Sequence, residues 1–130
     1  MSEYAPELDG EPDPGEVVWA WVPYEEDPAQ GKDRPVLLIG RVEIDGKLWW
    51  AALMLTSQDH DRDAEQEAAE GRFWMDVGSG DWDNERRPSE VRLDRLLVLA
   101  DDAVRREGAA LAKPIFDEVV EQARLRHAFG

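Results

Sequence analysis

Arg34 is the residue whose type and position most directly suggest chemistry. It stands between the polar segment 23–32 (PYEEDPAQGK) and the apolar run 36–39 (VLLI). Pro35 fixes its own φ and pushes Arg34 into an extended conformation. The guanidinium is therefore held stiffly at the mouth of a strand that we expect to be buried on both faces. The other polar groups that lie at this end of the strand therefore decide what the guanidinium can bind.

A second candidate pair is Arg92 and Asp94, in a segment predicted as one strand over 90–99. Side chains alternate between the two faces of a strand, so these two share a face opposite Val91 and Leu93. They would lie roughly 7 Å apart along the strand. The pair also fits a plain exposed ion pair worth about 0–1 kcal/mol, just as Arg34 fits a solvated arginine at a strand start.

The elements that must position these residues are mainly strands. The predicted strands are 16–22, 34–44 with a bend at Gly40, 47–55, 72–75 and 90–99. Asp45-Gly46 predicts a type I′ hairpin, and segment 64–70 favours a short helix. Pro114 suits the first position of a helix over 114–127, whose apolar residues recur at helical spacing. This order indicates a mainly β protein, a small antiparallel SH3-like barrel with a C-terminal helix.

Composition bounds the class of protein. The 130 residues suggest one domain over 15–130, preceded by an acidic arm over 1–14 that we expect to be flexible. Without cysteine, neither disulfides nor thiolate metal sites are expected. No apolar run is long enough to span a membrane and no signal peptide is evident, so we expect a cytoplasmic protein. The net charge of −15 repels polyanions at long range.

Four short motifs, in this order, resemble the MazF/PemK family of bacterial toxins from type II toxin–antitoxin pairs. The matching segments are 15–19 (GEVVW), Gly31 with 34–36 (RPV), 55–57 (LTS) and 89–94 (SEVRLD). Each motif alone is weak, but the set spans most of the chain. The resemblance implies an SH3-like barrel, a homodimer, an antitoxin partner, and cleavage of single-stranded RNA without metal or cofactor.

The resemblance also implies roles for individual residues. Arg34 would grip the scissile phosphate bidentately, and Thr56 would supply a hydroxyl to it. Asp94 would be the base for the RNA 2′-hydroxyl, and Arg92 the acid or, given its high pKa, the stabiliser of developing charge. The residues expected to bind substrate besides these four are Ser57, Trp82 and Ser89.

Other interpretations of the same sequence stay open. The chain could be a catalytically inactive relative that binds protein or nucleic acid. The segment 59–70 nearly fits a calcium loop but has Ala64 where that loop requires glycine, so a solvated acidic loop is the better interpretation. Trp19, Trp21, Trp49 and Trp50 lie within predicted strands and are expected in the core. Trp82 is the tryptophan that could face a ligand.

Overall fold

A computed structural model describes residues 14–57, 64–83 and 85–125 of the chain. Within those ranges the chain forms seven strands, two α-helices and one turn of 3-10 helix. In chain order the elements are β1 (Glu16–Pro23), β2 (Gly31–Ile44), β3 (Lys47–Thr56), α1 (Ala64–Ala69), β4 (Trp74–Gly78), β5 (Ser89–Arg92), β6 (Leu97–Leu99), the 3-10 turn (Asp101–Ala103), β7 (Val104–Ala110) and α2 (Lys113–Arg124).

The strands form one antiparallel sheet with the order β4-β5-β3-β2-β1-β7, and β6 also pairs with β3. The prediction of a mainly β fold with a C-terminal helix is confirmed. In the described residues, however, β4 and β7 do not pair, so the sheet is not closed into a barrel.

The long β2–β3 hairpin carries the local signals that the sequence predicted. Asp45 and Gly46 have φ values of 52° and 79°, as a type I′ turn requires. The β2–β3 register shifts between Leu38 and Gly40, which is the irregularity expected at this glycine. Residues 36–39 are fully buried, so β2 packs on both of its faces and holds the centre of the sheet.

The two faces of the sheet carry separate apolar clusters. One includes Val17, Leu37 and Leu53 and is covered by α2, whose buried face consists of Phe116, Val119, Val120 and Ala123. The other includes Val36 and Met54 and continues to Trp50. A central strand buried on both faces carries its polar side chains outside the buried run, and Arg34 lies just before that run.

Several sequence predictions need correction. The segment 90–99 is two strands, because the turn at 93–96 interrupts it between β5 and β6. Strand β7 was not expected, and Arg34 lies inside β2 because that strand begins at Gly31. Trp21 is exposed and not in the core, whereas Trp82 is only 4% exposed.

Other predictions concern residues outside the described ranges. The acidic arm lies almost entirely there, as do the first five residues of the calcium-like segment and the end of the helix predicted to reach residue 127. The observed α2 begins at Lys113 and ends at Arg124. The division into arm and domain therefore stays a prediction. No helix among the described residues is long and apolar enough to cross a membrane.

Candidate functional site

The first part of the site is a cleft of about 180 Å³ where β2 and β3 meet the segment before β5. Val36 pairs with Met54, and the same antiparallel register continued by two residues aligns Arg34 with Thr56. Both are half-buried. The cleft is lined by five of the seven residues that the sequence selected, namely Arg34, Thr56, Ser57, Trp82 and Ser89.

Trp82 forms a fixed wall of this cleft. Its indole N–H donates to Ser89 Oγ at 3.2 Å, and its backbone oxygen accepts from the indole N–H of Trp19 at 3.1 Å. A Cβ on Gly80 would lie 2.3 Å from the Trp82 ring, so only glycine permits this packing. Trp82 and Ser89 therefore shape the cleft, and the indole face is not laid open for a base to stack on.

A larger cleft of about 610 Å³ adjoins the first and shares five lining residues with it, Trp19, Asp33, Trp82, Asp83 and Arg87. Its charged lining residues are Asp33, Asp81, Asp83, Glu85, Arg87 and Arg105. Most of these charges are internally matched: Arg105 pairs with Asp33 at 3.2 Å, and Arg87 pairs with Asp83 at 2.8 Å. The acids exceed the bases, so this cleft is less favourable for a phosphate than the cleft at Arg34.

The second part of the site is built around Arg92, which does not line either cleft. Its side chain is 7% exposed and is held between two carboxylates. Nε and Nη2 donate to Asp94 at 3.0 Å and 2.7 Å, while Nη1 donates to Glu25 at 2.6 Å. The centre of the Trp74 ring lies 6.0 Å from the guanidinium carbon. Arg92 and Asp94 are thus bonded to each other and do not stand apart along one strand.

Burial by itself raises the pKa of Asp94, but hydrogen bonds from Arg92 and from the backbone N–H of Phe73 outweigh it. The pKa of Asp94 therefore lies below its usual value, and the carboxylate is ionised at neutral pH. Burial likewise opposes the charge on Arg92, but Asp94 and Glu25 raise its pKa above the usual value. The hydrogen bond from Arg92 lowers the pKa of Glu25.

Arg95 is a third cation at this point, and the sequence reasoning missed it. Its Nη2 donates to the backbone oxygen of Pro23 at 2.8 Å. Burial lowers its pKa, Glu25 opposes that shift, and the positive charges of Arg92 and Arg34 add to it. Arg95 therefore interacts electrostatically with an arginine in each part of the site, Arg34 in the first and Arg92 in the second.

The alternation of side chains along a strand did not indicate Arg95, because in a continuous strand it would point away from Arg92. The strand ends at Arg92, so the alternation does not extend to Arg95. The acids of the 23–32 loop were visible in the sequence, but the ion pair between Glu25 and Arg92 spans 67 positions of the chain. Glu90 was also missed: it is buried and lies directly opposite Thr56.

Among the described residues, no group of three or more His, Cys, Asp and Glu side chains could hold a metal ion. The first residues of the calcium-like segment, including His60, lie outside the described ranges.

The class of protein that the fold defines is a mainly β protein, with one antiparallel sheet and a C-terminal helix packed on it. Its candidate site contains arginines that lie near strand ends. The sequence model of the family described as "PemK-like, MazF-like toxin of type II toxin-antitoxin system" matches residues 13–129. The chain belongs to this toxin family, and that membership implies an antitoxin partner. A comparison with curated proteins gave no match.

Proposed function

We propose that the chain is an endoribonuclease that cleaves single-stranded RNA without a metal ion, acts as a homodimer in the cytoplasm, and is restrained by an antitoxin. The observation that carries the proposal is the cleft in which Arg34, Thr56, Ser57 and Ser89 come together. The Arg34 guanidinium and three hydroxyls line a cleft of about 180 Å³ and form a donor set suited to a phosphodiester. The other charged residues that line this cleft are Lys32, Arg87, Asp33 and Asp83. Membership of the toxin family supports the same conclusion.

In this proposal the 2′-oxygen of the RNA attacks the adjacent phosphorus as its proton passes to a carboxylate. The bond from phosphorus to the 5′-oxygen then breaks, that oxygen takes up a proton from water, and the carboxylate returns its own proton to the solvent. The products are a 2′,3′-cyclic phosphate and a 5′-hydroxyl. Arg34 and Thr56 bind the phosphate, and Arg92 stabilises the charge that develops on its oxygens.

Asp94 is the proposed base, as the family resemblance implies. It is ionised at neutral pH and so is in the protonation state that a base needs. A general base works best with a pKa near the operating pH, and the hydrogen bonds from Arg92 lower that of Asp94. Asp94 therefore gains basicity when a bound phosphate weakens its hydrogen bonds from Arg92. In the absence of RNA its work is to hold Arg92 in place.

The closed state of Arg92 favours a second candidate, a relative that binds RNA or protein without cleaving it. A guanidinium with 7% of its side chain exposed and both edges bonded to carboxylates does not reach a substrate in the arrangement observed. Binding in the cleft at Arg34 needs no such opening. The two candidates differ in a single measurement, which is whether the RNA is cut.

The test is incubation of the purified full chain with a long single-stranded RNA in EDTA. The proposal expects cleavage products that carry a 2′,3′-cyclic phosphate, and no cleavage of DNA of the same sequence, which lacks the 2′-hydroxyl. Arg34→Ala should slow cleavage by about 10²-fold or more, because it removes the main phosphate contact. Arg124→Ala, which removes an exposed arginine of α2, is the matched control.

The proposal fails if the wild-type chain leaves the RNA intact, or if Arg34→Ala cuts as fast as Arg124→Ala. Intact RNA that is nevertheless bound through Arg34 identifies the second candidate.

A further inference from the structure

Glu25 lies in the loop between β1 and β2 and places its carboxylate on Nη1 of Arg92 at 2.6 Å. A carboxylate and a phosphate present similar pairs of anionic oxygens, and a guanidinium binds both through the same fork of N–H donors. Glu25 therefore occupies the position on Arg92 that a phosphate oxygen would take. With Asp94 on Nε and Nη2, each of the three guanidinium nitrogens of Arg92 has a carboxylate partner.

The two carboxylates are not equally fixed. The Asp94 side chain is 14% exposed and also accepts a hydrogen bond from the Phe73 backbone at 2.8 Å, which ties it to the start of β4. The Glu25 side chain is 48% exposed. Among the described residues, its hydrogen-bond and ion-pair partner is Arg92. Exposed ion pairs are weak, so Glu25 is the partner that an external anion can replace.

The loop that carries Glu25 has little to hold it. Its backbone hydrogen bonds within the described residues are Tyr24 to Gln30 and Gln30 to Asp27, both at 2.9 Å, and residues 25–30 are all exposed. Arg95 grips the loop's first end through the Pro23 backbone oxygen. Segments with few buried contacts open at low free-energy cost, so Glu25 can leave Arg92 while the sheet stays folded.

We propose that Arg92 and Arg95 form a subsite for a phosphate group, that the Glu25 carboxylate fills this subsite in the free protein, and that a phosphate of the nucleic acid displaces it. The inference rests on the proposed function in taking RNA as the source of that phosphate. The subsite lies near the cleft at Arg34, because β5, which ends at Arg92, pairs with β3 and places Glu90 opposite Thr56 of that cleft.

Competition from the Glu25 carboxylate lowers the affinity of the protein for a phosphate. Apparent affinity falls in proportion to the fraction of molecules whose site is open. Removing the charge of Glu25 should therefore tighten phosphate binding by roughly tenfold, the change that corresponds to the weaker charge-assisted hydrogen bonds.

The test uses the full chain labelled with nitrogen-15 and follows the indole N–H signal of Trp74 by NMR. This ring lies beside Arg92, and its N–H is bonded to Glu67 at 3.1 Å, so it senses a change at the guanidinium without contacting the anion. Inorganic phosphate is titrated at constant ionic strength, with chloride as the balancing anion. A second titration uses a short 2′-O-methyl RNA, which binds but cannot be cleaved.

The variants are Glu25→Gln and the matched control Glu26→Gln. Both remove one negative charge from the same loop, but Glu26 forms no ion pair with another described residue and affects Arg95 only at a distance. We expect Glu25→Gln to bind phosphate and the RNA oligomer about tenfold more tightly than the wild type. We expect Glu26→Gln to stay within about twofold, and Arg95→Gln to weaken binding in either background.

Equal affinities for Glu25→Gln and Glu26→Gln would overturn the inference, as would a Trp74 signal that phosphate leaves unmoved in every variant. The RNA cleavage assay separates the two levels of the argument. If Glu25→Gln tightens phosphate binding but no variant cuts RNA, the subsite stands and the nuclease proposal falls. If the wild type cuts RNA and Glu25→Gln cuts and binds no better than Glu26→Gln, the nuclease stands and the subsite falls.

Discussion

Asp94→Asn should destabilise the folded chain because it removes the better-fixed counter-charge of a buried guanidinium. Asparagine keeps the size of the side chain and can still accept the hydrogen bond that Asp94 takes from the Phe73 backbone. The substitution thus isolates the loss of charge next to Arg92, whose side chain is 7% exposed.

The expected loss of unfolding free energy depends on how much negative charge remains beside Arg92. Removing one partner of a fully buried ion pair costs about 3–5 kcal/mol. Here Glu25 remains on Nη1 of Arg92, and Asp94 is partly exposed, so we expect the free energy of unfolding to fall by about 2–3 kcal/mol. Glu25→Gln removes one charge-assisted hydrogen bond from a half-exposed partner and should cost less, about 1.5 kcal/mol.

The assay is urea unfolding followed by tryptophan fluorescence, with the midpoint and slope fitted for each variant. Asp76→Asn is the matched control, because Asp76 is an exposed aspartate on the neighbouring strand β4. The reasoning is refuted if Asp94→Asn costs no more than Asp76→Asn, since the buried Arg92 would then not depend on the charge of Asp94.

Two further predictions concern pH and the start of β2. The pKa of Asp94 is lower in the folded chain than its ordinary value of 3.8. The unfolded chain therefore takes up this proton first as the pH falls, so the contribution is complete above about pH 4 and is lost below it. Acid titration of the unfolding free energy should show a shallower slope for Asp94→Asn than for the wild type, and equal slopes would contradict the assignment. Gly31→Ala should destabilise the chain, because the added Cβ would lie 2.3 Å from the backbone oxygen of Val22. Thermal unfolding measures this loss, with Ala29→Gly in the exposed loop as a comparison, and an unchanged midpoint would contradict it.

Local patterns predicted much of the fold because they act over a few residues. The apolar run at 36–39 required a buried strand, and Asp45-Gly46 supplied the two positive φ values that its turn needs. The family motifs indicated the candidate site residues, and two of these, Arg34 and Thr56, line the same cleft. Trp21 shows the limit of this reasoning, because an aromatic residue in a strand faces solvent wherever nothing covers its face.

The sequence by itself predicted the first three strands along the chain, the helical face of α2 and the residue types available at the site. Only the tertiary structure decided which charges meet. Glu25 and Arg92 are 67 positions apart and come into contact because β1 and β5 belong to one folded sheet. Because β5 ends at Arg92, Asp94 and Arg95 can both belong to the charged cluster around that arginine. Hydrophobic periodicity specifies elements, whereas an ion pair depends on positions that the whole fold sets, so the state of the candidate site could not be read from spacing alone.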